Sequence, residues 1–213
     1  MEHAITPAEA AHAAHETSTG LDHRKIAMWA FLGSDCLFFG SFISTYMIYR
    51  GRSLAGPCPH DMLLPNGSPC EGIFSIPYTS VSAFVLLMSS VTMVLALAAI
   101  QRGNHRGLRV WLLATALLGS VFVGGQYFEF SSFWREGLHL DTNLFGTTFF
   151  VLTGFHGAHV TIGIIMLLSL VATSLMGRLP TEDSLTVELT GLYWHFVDVV
   201  WIVIFTLVYL LPI

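Results

Sequence analysis

Along this chain the apolar positions do not alternate with polar ones over strand lengths. They gather into five long runs, residues 26–49, 78–100, 108–134, 144–176 and 187–211. About twenty apolar residues coiled as a helix cross a hydrocarbon core about 30 Å thick. Each run therefore predicts one transmembrane helix, and the expected fold is all-α, a bundle of five spans. A barrel strand would need only about ten residues of alternating pattern; the runs here are far longer, which excludes a barrel. The fourth run outlasts the membrane's thickness, so it must tilt or emerge into water at one end.

Composition agrees with this reading. The 213 residues are 54% hydrophobic and 11% charged, whereas a soluble domain carries about 25% charged residues. A multi-pass membrane protein is implied, with lipid as its solvent and no need of nucleic acid as a partner. Lys and Arg set the orientation. Arg24 and Lys25 precede the first run, Arg102, Arg106 and Arg109 lie between the second and third, and Arg178 lies between the fourth and fifth. Only Arg50, Arg52 and Arg135 flank the other side. The positive-inside rule then puts the N-terminus in the cytoplasm and the C-terminus outside.

Residues 1–24 form a polar tail with His3, His12, His15 and His23, expected to be solvated and disordered. The tail lacks the apolar core of a cleaved signal peptide, so the first span is expected to direct its own insertion. Residues 25–213 are expected to form a single bundle. In the one long loop, Gly51 to Pro77, Cys58 and Cys70 fall on the oxidising side and are expected to form a disulfide. Cys36, within the first span, reads as a small packing residue. Pro77 and Pro180 are expected in loops.

In lipid, helices associate through small residues and occasional cross-helix hydrogen bonds, since burying apolar surface gives no net drive there. Gly119, Ser120, Gly124 and Gly125 on the third run predict tight helix crossings. So do Gly154, Gly157, Ala158, Thr161 and Gly163 on the fourth. Against this background the ionisable residues stand out. Asp35 lies in the first run, Glu129 near the end of the third, His156 and His159 in the fourth, and Glu188, His195 and Asp198 in the fifth. Glu188, His195 and Asp198 share one helical face, as do His156 and His159. Each must face inward, because lipid offers no hydrogen-bond partner.

Three readings of this set compete. It could enclose a metal, although no Glu-x-x-His pair of the di-iron kind occurs. It could mark a proton path, with Asp35 the natural candidate. Or it could be structural, with His, Asp and Glu fixing which helix meets which and anchoring lipid head groups or a partner. The residues favour the structural reading and no metal site. A free-standing proton or solute permease remains a further alternative, against which stands the absence of an interrupted span.

Four motifs then carry a resemblance. The strings WAFLGSDCLFFGSF, QYFEF, GTTFFVLTGFHGAHVTIG and LYWHFVDVVWIVIFTLVYL, in this order, resemble subunit III of haem-copper terminal oxidases. The match covers nearly everything after Arg24, and its last two motifs are highly specific. The resemblance implies a subunit of the bacterial inner membrane without haem or copper of its own. It would lie against the large haem-bearing subunit I, beside a copper-bearing or quinol-type subunit II, in an enzyme that reduces oxygen and pumps protons. It further implies that Asp35, the aromatic residues Trp29, Trp194 and Trp201 and the His/Asp stripe line a phospholipid-filled cleft near the proton-uptake entrance. The subunit would protect the catalytic core from inactivation during turnover.

Asp followed by Cys at positions 35 and 36 resembles many quinol oxidases, whereas GTTFFVLTGFHG resembles the cytochrome c type. An aa3-type cytochrome c oxidase is therefore expected, with a quinol oxidase as the alternative. Nitric oxide reductase accessory proteins of the same family are a minor third. Five spans match the five-helix bacterial form, in which a lipid or a partner helix is expected to cover the Asp35 face.

Overall fold

The computed structural model describes residues 22–50, 57, 62–63, 69–70, 72, 74–179 and 184–211. Five helices carry the five apolar runs: α1 (His23–Tyr49), α2 (Ile76–Gln101), α3 (His105–Arg135), α4 (Leu144–Leu175) and α5 (Ser184–Phe205), the last continuing into a π-helical turn, Thr206–Leu210. All five are long and apolar enough to cross a membrane. At about 1.5 Å per residue, the 32 residues of α4 outreach a 30 Å core, as their apolar run implies.

Four helices, α1, α2, α3 and α5, begin two or three residues before their apolar runs, because hydrophobicity alone does not set a helix start. Asp22 accepts a hydrogen bond at Oδ1 from the Arg24 N–H at 2.7 Å, so His23 and Arg24 belong to α1 and not to a disordered tail. Asn104 caps α3 by accepting from the Gly107 N–H at 2.9 Å. The α2–α3 turn ahead of it needs Gly103 at φ +72°, a left-handed conformation natural to glycine. Pro77 is helical and not looped. It occupies the first turn of α2, where its missing N–H leaves no bond unmade.

The long loop contains a short ladder absent from the sequence-based expectation. β1 (Met62–Leu63) pairs antiparallel with β2 (Pro69–Cys70). Cys58 lies outside the described residues, and with it the expected Cys58–Cys70 bridge. Residues 1–21, which hold His3, His12 and His15, also lie outside them, as does Pro180.

Contacts divide the chain into two units, Met1–Phe38 and Phe39–Ile213. The described part of the first is the N-terminal portion of α1, which carries Trp29, Asp35 and a free, exposed Cys36. In the second, α2 packs on α3 and α5, and α4 packs on α3 and α5, so the four helices close a ring. The remainder of α1 lies along α4. Phe42 stacks on Phe155 with ring centroids 5.2 Å apart, and Tyr46 meets Phe145 at 5.9 Å. Arg50, just past α1, donates to the carbonyls of Leu207 and Leu211 at 3.2 and 2.7 Å. It thereby satisfies backbone acceptors at the end of the chain's last helical turn.

Candidate functional site

The middle of the ring is filled by one side chain. Trp194 of α5 is 1% exposed and touches all three other helices. Its Nε1 donates to Ser89 Oγ of α2 at 2.8 Å. A methyl group built on Gly119 of α3 would lie 2.5 Å from the far edge of the indole, and one on Gly163 of α4 would lie 2.8 Å away. These two small residues therefore make room for a tryptophan from a third helix, where the sequence suggested close backbone crossings. Gly157 does likewise for Gln126, whose Nε2 donates to the Thr153 carbonyl of α4 at 2.8 Å. A methyl group on Gly124 or Gly154 would meet nothing within 4 Å, so these two serve no such contact.

His195 and Asp198 leave Trp194 on the side facing α2 and converge on the next serine. Ser90 Oγ donates to Asp198 Oδ2 and lies 3.0 Å from His195 Nδ1. A hydroxyl has one proton and two lone pairs, so Ser90 can donate to Asp198 and at the same time accept from His195 Nδ1. The result is a chain of two hydrogen bonds, from imidazole through hydroxyl to carboxylate, joining α5 to α2. Asp198 is 3% exposed, and His195 is half-buried.

From the sequence, the His156/His159 face of α4, with Glu129 and Glu188, is the expected partner of these two residues; the hydrogen bonds at Ser90 join them to α2. Neither ring nitrogen of His156 has a hydrogen-bond partner among the described residues, so His156 does not bind Asp198. It is wholly buried in an aromatic cage. It stacks on Trp201 at 4.9 Å and meets Phe122 edge-on at 5.9 Å. Trp201, two turns beyond Trp194, thus extends the same core. His159, one turn from His156, lies against Phe39 at 4.9 Å, and its Nδ1 is 2.7 Å from the Phe155 carbonyl of its own helix. Glu188 is half-buried near the start of α5.

Glu129 belongs to a separate group at the end of the ring nearest the α1–α2 loop. Thr79 of α2 donates to its Oε1 at 2.7 Å, and the Tyr209 hydroxyl bonds the same carboxylate. Tyr209 is carried by the π-helical turn and is 1% exposed. Phe74 covers it, ring centroids 4.8 Å apart. Of the tryptophans expected in a cleft, Trp194 and Trp201 are buried while Trp29 is 58% exposed.

Ser89, Ser90, Thr79, Gln126 and Tyr209 complete the polar set, and sequence reasoning singled out none of them. Among the described residues no three His, Cys, Asp or Glu side chains come together as a metal site would require. The arrangement ties α5 to α2 twice, α3 to α2, α3 to α4 and, through Tyr209, the π-helical turn to α3. Each tie removes a polar group from a lipid-facing position.

Comparison with known proteins matches residues 5–212 to the family model of cytochrome c oxidase subunit III. The chain is 35% identical to quinol oxidase subunit 3 of Bacillus subtilis over 99% of its own length and 98% of that protein's. It is 40% identical to cytochrome c oxidase subunit 3 of Synechocystis, covering 97% of this chain and 82% of that one. Against cytochrome c oxidase subunit 3 of Thermostichus vulcanus the identity is 36%, over 89% and 88% of the two chains.

Proposed function

Because the chain belongs to the cytochrome c oxidase subunit III family, we propose that it is the non-catalytic subunit III of a proton-pumping haem-copper oxidase. It would lie beside a haem-bearing subunit I and a subunit II that receives electrons. The observation that carries the non-catalytic part is the use made of the buried His and Asp. Asp198 and His195 are both engaged by Ser90, and His156 is closed in by aromatic rings. Side chains of the metal-binding type are thus spent on joining helices, and the oxygen chemistry belongs to the neighbouring subunit.

Within that reading the donor is cytochrome c and the oxidase is of the aa3 type, supported by the Gly146–Gly157 segment and the cytochrome c oxidase relatives. A quinol donor is the second reading, favoured by the Asp35–Cys36 pair and the Bacillus relatives. The distribution of Lys and Arg supports a cytoplasmic N-terminus in a bacterial inner membrane. Asp35, an acid in mid-helix α1, is the candidate for lipid contact or for assisting proton uptake. Phospholipid is the ligand of this chain, and haem and copper are held by its partners. Purification of the tagged chain from its own membranes, followed by oxygen-uptake assays with reduced cytochrome c and with quinol, tests the proposal. Oxidase activity driven by cytochrome c supports it, activity driven only by quinol selects the second reading, and a preparation free of haem refutes both.

A further inference from the structure

Beside the Glu129 group, a cleft of about 470 Å³ opens between α2 and α3, lined by Ser75, Tyr78, Phe128, Glu129, Ser132 and Phe133. This lies within the size range of small-ligand sites, about 300–1,000 Å³. Its floor is acidic. Glu129 is 9% exposed, and a carboxylate offers about four acceptor positions, of which Thr79 and Tyr209 occupy two. Ser132 of the lining donates from Oγ to Glu136 Oε1 at 3.0 Å, which brings a second carboxylate next to the cleft. No ion pair joins Glu129 or Glu136 to a basic side chain among the described residues. The walls are the rings of Tyr78, Phe128 and Phe133, whose faces attract cations.

Depth identifies the cation. Glu129 is nine residues from Ser120, the midpoint of α3, or about 13 Å along the axis. The hydrocarbon half-thickness is about 15 Å, so the cleft stands where apolar chains give way to head groups. It also opens sideways: Phe128 is 72% exposed, and Val121 and Leu117, on the same face toward the midplane, are 54% and 66% exposed. A cation in this cleft thus has an apolar track running beneath it. Acid floor, aromatic walls, head-group depth and apolar track together match one amphiphile. We propose that the cleft seats the primary ammonium of a phosphatidylethanolamine whose acyl chains lie along α3. A primary ammonium donates hydrogen bonds to the open acceptor positions of Glu129, which a quaternary ammonium has no proton to fill and an anionic head group would be repelled by.

The proposal goes beyond the oxidase reading, and an inactive complex would sink that reading without altering lipid retention. The test uses the chain in the complex with which it is extracted, exchanged into nanodiscs of phosphatidylethanolamine or of phosphatidylglycerol with the same acyl chains. Native mass spectrometry then counts the lipids retained. The wild type should hold phosphatidylethanolamine about tenfold more tightly than phosphatidylglycerol, and Glu129→Gln should remove the preference. Should Glu129→Gln fail to fold, Phe128→Ala, at an exposed wall, should weaken retention several-fold. Equal retention of the two lipids by the wild type, a preference that survives in folded Glu129→Gln, or undiminished retention by Phe128→Ala overturns the proposal. So does an arginine or lysine of a neighbouring subunit found inside the cleft.

Discussion

Trp194 Nε1 donates a hydrogen bond to Ser89 Oγ across 2.8 Å, and this contact places the indole of α5 at the meeting point of four helices. The next serine of α2, Ser90, takes up the next polar residues of α5, His195 and Asp198. Two adjacent hydroxyls thus set the register of α5 against α2. Lipid cannot supply that register, because it solvates every apolar face equally well.

Ser90→Ala should leave Asp198 buried without its donor. Cross-helix hydrogen bonds in membranes contribute about 0.6–2 kcal/mol, so the melting temperature of the purified complex should fall by a few degrees. Thermal unfolding followed by circular dichroism measures this, and an unchanged transition would show that the Ser90 contacts contribute nothing to the packing of α5.

A matched pair of glycines on α3 tests the tryptophan keystone. Gly119→Ala puts a methyl 2.5 Å from Trp194, while Gly124→Ala meets nothing within 4 Å. Overpacking of this kind costs about 1–3 kcal/mol, whereas alanine in an open helical position gains up to about 1 kcal/mol over glycine. Gly119→Ala should destabilise and Gly124→Ala should not. Equal effects would refute the keystone.

Arg50→Met should free the carbonyls of Leu207 and Leu211. Hydrogen bonds from a charged donor contribute about 1.5–3 kcal/mol, so amide exchange at the end of α5 should accelerate about tenfold or more. Hydrogen–deuterium exchange of the C-terminal peptide reads this directly, and unaltered protection there would remove Arg50 as the clamp.

Asp198→Leu separates a connector from a ligand. It should weaken retention of the subunit in the complex and leave the haem absorption bands where they are. Displaced bands in a complex of normal subunit composition would assign Asp198 a role at the redox centres.

Much of this fold was legible in the sequence because its strongest signal, apolar runs of span length, is also the strongest constraint on a chain in lipid. All five runs became helices, and the acids and imidazoles of the third to fifth spans, conspicuous in such surroundings, were recognised. Their partners were not. Serines and threonines in these helices commonly bond their own backbone, as Ser44 does to Gly40 and Thr161 to Gly157, and nothing in the chain marks Thr79, Ser89 and Ser90 as the ones that reach across. Tyr209 was missed for a different reason: the π-helical turn that carries it departs from the 3.6-residue period on which any facing argument depends. The glycines were noticed, but what fills the space they leave is a tryptophan distant in sequence.

The most direct test is to purify the chain by an affinity tag from its own membranes and record the optical spectrum and subunit composition of what comes with it. A non-catalytic subunit III should bring a large haem-bearing subunit in equal amount and oxygen uptake by the preparation, with no iron or copper remaining on this chain once it is separated from its partners. Recovery of the chain alone, without haem, or of metal bound stoichiometrically to the separated chain, would contradict that role.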